Sequence, residues 1–116
     1  MDIRTIHSYA HASEAVGLTV VIDVLRACTT MCVLFDRGAT VIYPKEKIVD
    51  GFEMKKMYPD AVLVAEYDGW KVDGADYGNS PSELEHADIA GRPVIMVTSA
   101  GTRGIVGSMH ADTVIT

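Results

Sequence analysis

Residues 18–30 read Leu18-Thr19-Val20-Val21-Ile22-Asp23-Val24-Leu25-Arg26-Ala27-Cys28-Thr29-Thr30. The first five form an apolar, mostly β-branched run closed by an acid, the pattern of a strand covered on both faces. Thr29–Arg37 then reads as a helix stopped at Gly38. A strand buried on both sides needs layers on both sides, and the rest of the chain supplies the same alternation. Ala39–Tyr43 predicts a second strand ended by Pro44. Glu46–Met57 predicts a helix, with Ile48, Val49, Phe52 and Met57 at helical spacing, and Ala61–Ala65 a third strand. Glu66–Asn79 is a Gly- and Asp-rich loop with room for a short strand near Trp70–Val72. Ser80 opens another helix, with Pro81 and Glu83 completing a capping box. Pro93–Val97 is a buried strand, Thr102–Met109 a helix, and Thr113–Thr116 a last strand. This alternation predicts an α/β fold: one domain over residues 1–116, a mostly parallel sheet with helices on both faces, three layers in all.

Ten Lys and Arg against 16 Asp and Glu leave a net charge of −6. That balance, with few aromatics, argues against a nucleic-acid grip. No apolar stretch is long enough to span a membrane, and the first residues lack the pattern of a secretory signal. Cys28 and Cys32 fall one helical turn apart, too far for a relaxed disulfide, and without further ligands they make a poor zinc site. Reduced cysteines predict a cytoplasmic setting.

In open parallel sheets, ligands gather beyond the carboxyl ends of the strands. Three loops there carry chemistry. In the first, Asp23 can hold a cation, Arg26 offers a planar fork to an acid group, and Thr29 and Thr30 bring hydroxyls and N–H groups to a helix start. In the second, Glu66, Asp76 and Asn79 exceed what helix punctuation requires. With Asp23, Glu66 and Asp76 could supply the oxygen ligands that Mg²⁺ prefers. In the third, Thr98, Ser99, Gly101 and Thr102 join a strand to a helix so that N–H groups converge, and Arg103 adds a charge. Other phosphatase chemistries fail on spacing. Cys32 and Arg37 are separated by four residues where a cysteine phosphatase needs five, and Leu25 stands where a phosphoaspartate mechanism needs a second Asp. His7, His11, His86 and His110 form no ligand or triad pattern. What survives is metal-assisted attack on a phosphate.

Together, Val21–Thr30, Asp76–Pro81 and Val97–Arg103 resemble the 2-phosphosulfolactate phosphatase (ComB-like) family, and the match is to its N-terminal half. The resemblance implies Mg²⁺-dependent hydrolysis of a small anionic phosphoester, in the namesake case 2-phosphosulfolactate, on the way to coenzyme M. It assigns Asp23, Arg26, Thr29, Thr30, Glu66, Asp76, Gly78, Asn79, Thr98, Gly101, Thr102 and Arg103 to the site. Two positions depart from the family pattern: Ala100 replaces an Asn, and Tyr67-Asp68-Gly69 replaces Arg-Gly-Gly. The alternative is an inactive or incomplete anion-binding, oligomerising module on the same scaffold. The strand at Val114-Ile115 offers an unpaired edge, so a homo-oligomer is expected.

Overall fold

The structure, a computed structural model, describes residues 1–116. A short 3₁₀ segment at Tyr9–Glu14 precedes β1 (Leu18–Val20), α1 (Ala27–Asp36), β2 (Val41–Lys45) and α2 (Ile48–Met57). Then come β3 (Val62–Tyr67), β4 (Trp70–Lys71), α3 (Pro81–Leu84), β5 (Pro93–Val97), α4 (Gly101–Ser108) and β6 (Thr113–Ile115). The main sheet has strand order β2-β5-β3-β4, parallel except for the β3–β4 hairpin, while β1 and β6 form a separate parallel pair.

Side-chain alternation along the central strands builds the three layers. Val62, Val64, Val94 and Met96 join Ala27, Met31 and Leu34 of α1, Leu84 of α3 and Ile105 of α4 in one cluster. Their sequence neighbours Leu63, Ala65, Ile95 and Val97 pack on the other face against Ile48, Phe52 and Met54. The period of two along each strand sorts these residues. α2 lies close to its face because Gly51 has no side chain: a Cβ there would sit 2.7 Å from Val97 Cγ2 and 3.4 Å from Leu63 Cδ1.

Three local expectations are corrected. The run Leu18–Ile22 was expected to be covered on both faces, but Leu18, Val20 and Ile22 are exposed and only Thr19 and Val21 turn inward. A continuous apolar run does not say how many of its faces find a partner. Pro44 does not end its strand; it lies inside β2, paired with Met96. β2 is an edge strand, so the missing N–H interrupts no ladder on its outer side. The capping box does not form. Ser80 makes no cap hydrogen bond and its Oγ instead lies 3.1 Å from Ser82 Oγ, while Glu83 accepts from the Gly78 N–H at 3.1 Å. α3 is a single turn, too short to need the second reciprocal bond.

Candidate functional site

The loops after β1, β3 and β5 meet at the carboxyl edge of the strands. Asp23 follows β1 and its carboxylate presses on the first residue of α4: Oδ2 lies 2.5 Å from where a Gly101 Cβ would stand, and Ala27 Cβ lies 2.3 Å from that point. Only glycine lets these loops come so close. The Asp23 side chain accepts no hydrogen bond and joins no ion pair, while its backbone carbonyl receives the Cys28 N–H at 3.0 Å.

Glu66 is buried at the end of β3, and its oxygens are in use. Oε1 accepts from the Gly69 N–H (2.5 Å) and the Ser99 hydroxyl (2.9 Å), and Oε2 from the Ser99 N–H (3.3 Å). Ser99 Oγ in turn accepts the Asp68 N–H at 2.8 Å. Burial alone would raise the Glu66 carboxyl. The Gly69 and Ser99 donors and the nearby Arg26 charge outweigh it and hold the group below its ordinary value. Arg26 donates through Nη2 to the Gly69 carbonyl at 3.3 Å. Glu66 and Arg26 thus grip the same hairpin turn, from its N–H and its C=O.

Asp76 goes elsewhere. Its Oδ2 accepts the Leu63 N–H at 2.8 Å and the Lys55 ammonium at 3.0 Å. Burial would raise this carboxyl as well, but the Leu63 N–H and the charges of Lys55 and Arg92 hold it down. Leu63 lies three residues before Glu66, roughly 10 Å along the strand. The expected grouping of Asp23, Glu66 and Asp76 therefore does not form, and no three His, Cys, Asp or Glu side chains come together to cage an ion. The reason is local: the chain at Asp76 pairs with the amino-terminal part of β3, and Lys55 waits there.

The hydroxyls of the third loop are largely committed to the turn. Thr102 Oγ1 accepts the Thr98 N–H (2.8 Å) and donates to the Thr98 carbonyl (3.2 Å), and Thr98 Oγ1 accepts the Thr102 N–H (3.1 Å). This clamp leaves the N–H groups of Ala100, Gly101 and Arg103 unclaimed at the start of α4. Arg103 turns to the 3₁₀ segment, stacking 5.3 Å above the Tyr9 ring and donating to its hydroxyl at 3.3 Å. Its Nε is buried without a partner. Thr29 Oγ1 donates to the Val24 carbonyl at 2.5 Å. Thr30 Oγ1 and Asn79 Oδ1 are both buried and unpartnered. Tyr77 pairs in parallel with Val64, so the chain beyond it carries Asn79 towards the level of Glu66.

The structure thus brings Asp23, Arg26, Glu66, Ser99 and Gly101 to one edge and leaves Asp76 outside. Sequence reasoning missed Lys55, which claims Asp76, and Tyr9, which claims Arg103 from 94 positions away. Neither leaves a local signal. The edge opens onto a cleft of about 630 Å³, apolar along Val20, Ile22 and Leu25, with Asp23, Ala100 and Gly101 in its wall.

Residues 4–116 match the model of a family described as 2-phosphosulpholactate phosphatase. Among curated relatives, a protein of Carboxydothermus hydrogenoformans is 41% identical over 96 residues, covering 83% of this chain and 40% of its own length. One of Thermoplasma acidophilum is 36% identical, covering 73% of this chain and 39% of its own. One of Clostridium perfringens strain 13 is 34% identical, covering 99% and 49%. Each is named "Probable 2-phosphosulfolactate phosphatase". The chain spans less than half the length of these relatives.

Proposed function

Because this chain belongs to the 2-phosphosulfolactate phosphatase family, we propose that its carboxyl-edge site hydrolyses a small acidic phosphoester, with 2-phosphosulfolactate the first candidate. The observation that carries this reading is Asp23, a carboxylate without hydrogen bond or ion pair, set against unclaimed helix-start N–H groups. Those N–H groups at Ala100 and Gly101 receive phosphate oxygens, helped by the partial positive charge of the α4 terminus. Arg26 keeps donors free beyond its bond to Gly69 and takes the second acid group of the substrate. Glu66 positions rather than reacts, since three donors already hold its carboxylate. Water attacks phosphorus, the ester oxygen leaves and takes up a proton, and the products are a hydroxy acid and inorganic phosphate.

Mg²⁺ binds with one or two carboxylates when water and substrate phosphate complete its shell. The donor set here fits that arrangement through Asp23 and does not fit a three-carboxylate cage. When bound, Mg²⁺ supplies charge neutralisation at the phosphate. Both cysteines are free, as in a reducing, cytoplasmic setting, and no helix is long and apolar enough to cross a membrane.

Phosphate release from 2-phosphosulfolactate and from a panel of phosphorylated hydroxy acids tests this, with and without Mg²⁺. Asp23→Asn is expected to lower turnover by about 100-fold or more while leaving the melting temperature unchanged. Undiminished Mg²⁺-dependent release by Asp23→Asn removes the assignment. A second reading, an anion-binding module, is favoured by the commitment of Ser99, Thr98 and Thr102 to the turn. It predicts thermal stabilisation by phosphate without turnover.

A further inference from the structure

Small residues lay the 3₁₀ segment along α4. A Cβ at Gly107 would stand 2.8 Å from Ala12 Cβ, and one at Gly104 would stand 4.0 Å from Tyr9 Cβ. Tyr9 is thereby fixed beside the first turn of the helix, where Arg103 meets it. The guanidinium stacks 5.3 Å above the ring, and Nη1 donates to the hydroxyl at 3.3 Å. Neither contact is strong. The bond is longer than the roughly 2.7–3.2 Å of ordinary N–H···O bonds, and a cation over an exposed ring gains little. Tyr9 is exposed. The stack also strands Nε, which is buried with no acceptor, and a stranded donor disfavours this placement of the side chain.

Tyr9 walls the cleft together with Asp23, Ala100 and Gly101, whereas Arg103 does not. While stacked, the guanidinium therefore offers no donor to a ligand in the cleft. Its Nε–Nη2 edge, the fork that matches two oxygens of a phosphate, is unused. Arg103 is the third residue of α4, and helical side chains lean towards the amino-terminal turn. Released from the ring, its fork reaches over the free N–H groups of Ala100 and Gly101.

We propose that Tyr9 is an autoinhibitory rest for Arg103. When a phosphate group occupies the start of α4, the guanidinium leaves the ring and closes on the anion with Nε and Nη2. Tyr9 thus sets the affinity for the anion, because binding must first displace the stack. This inference rests on anion capture at the helix start, which the catalytic and the anion-binding readings share, and not on turnover.

Titration of the chain with inorganic phosphate, followed by nuclear magnetic resonance, tests it. In the free chain, cross-relaxation is expected between the Arg103 δ-methylene and the Tyr9 ring protons. It is expected to vanish as phosphate saturates the Ala100 and Gly101 amides. Tyr9→Leu, which removes the stack, is expected to bind phosphate about two- to fivefold more tightly. Arg103→Met is expected to bind more weakly, and adding Tyr9→Leu to it should then gain nothing. Cross-relaxation that persists at saturation overturns the proposal, and that measurement needs no variant to fold. So does a Tyr9→Leu chain that binds no more tightly, or one that gains equally without Arg103. Failure of the unsubstituted chain to bind phosphate at all overturns the inference together with the reading beneath it.

Discussion

At the scale of single residues, commitment separates the three acids that composition makes alike. Asp76 is tied to Lys55 and the Leu63 N–H, Glu66 to Ser99 and the Gly69 N–H, and Asp23 to nothing through its side chain. A carboxylate already holding two or three donors has little left for an ion or a proton in flight. On the proposed reading, Asp23 is therefore the carboxylate left for the reaction, and the absence of a side chain at Gly101 is what leaves room for it. Gly101→Ala puts a methyl where Asp23 Oδ2 and Ala27 Cβ already lie within 2.5 Å. The expected outcome is a loss of about 1–3 kcal/mol in urea unfolding, with a larger proportional loss of phosphate release, because the carboxylate must swing out of the site. Equal activity per folded molecule in that variant would break the link between Gly101 and Asp23.

At the scale of elements, the sequence patterns locate strands and helices but not what each one faces. The hydrophobic runs at Ala61–Ala65 and Pro93–Val97 become the expected strands, β3 and β5, and both faces of each are covered. The equally apolar Leu18–Ile22 becomes a short strand with one face in water. Nothing in the run itself distinguishes the two cases, since periodicity records which residues can be buried and not how many layers arrive. The fit of α2 is likewise a property of the pair of elements. Gly51 lowers helix propensity, and only its 2.7 Å clearance from Val97 shows its purpose. Gly51→Ala should improve the isolated helix by under about 1 kcal/mol yet destabilise the protein by about 1–3 kcal/mol, measured by chemical denaturation. A net gain in stability would mean that Val97 moves aside freely.

At the scale of the whole molecule, three acids are held below their ordinary values: Glu14, exposed beside His11 and Arg4, and the more enclosed Glu66 and Asp76, which shape the response of stability to pH. Glu66 and Asp76 are both lowered, from ordinary values of 4.5 and 3.8, so the unfolded chain takes up protons more readily than the folded one as the solution is acidified. Their contribution is complete above those values and is lost as pH falls through the lower folded ones. The melting temperature is therefore expected to hold between pH 7 and about 5 and to decline below about pH 4.5. Glu66→Gln should lower it at pH 7, by about 1–3 kcal/mol in stability, and flatten the acid decline. An unchanged acid slope in that variant would place the titration elsewhere. The chain by itself determined the α/β class, the order of the elements, the three loops at the strand ends and the family, because these rest on local periodicity and contiguous motifs. Only the tertiary structure decided that Asp76 stands apart from Glu66, that Arg103 stacks on Tyr9, and that β1 has one bare face. Those outcomes depend on partners between 21 and 94 positions distant or on the absence of one, and a contact at that separation is written in no segment of the chain.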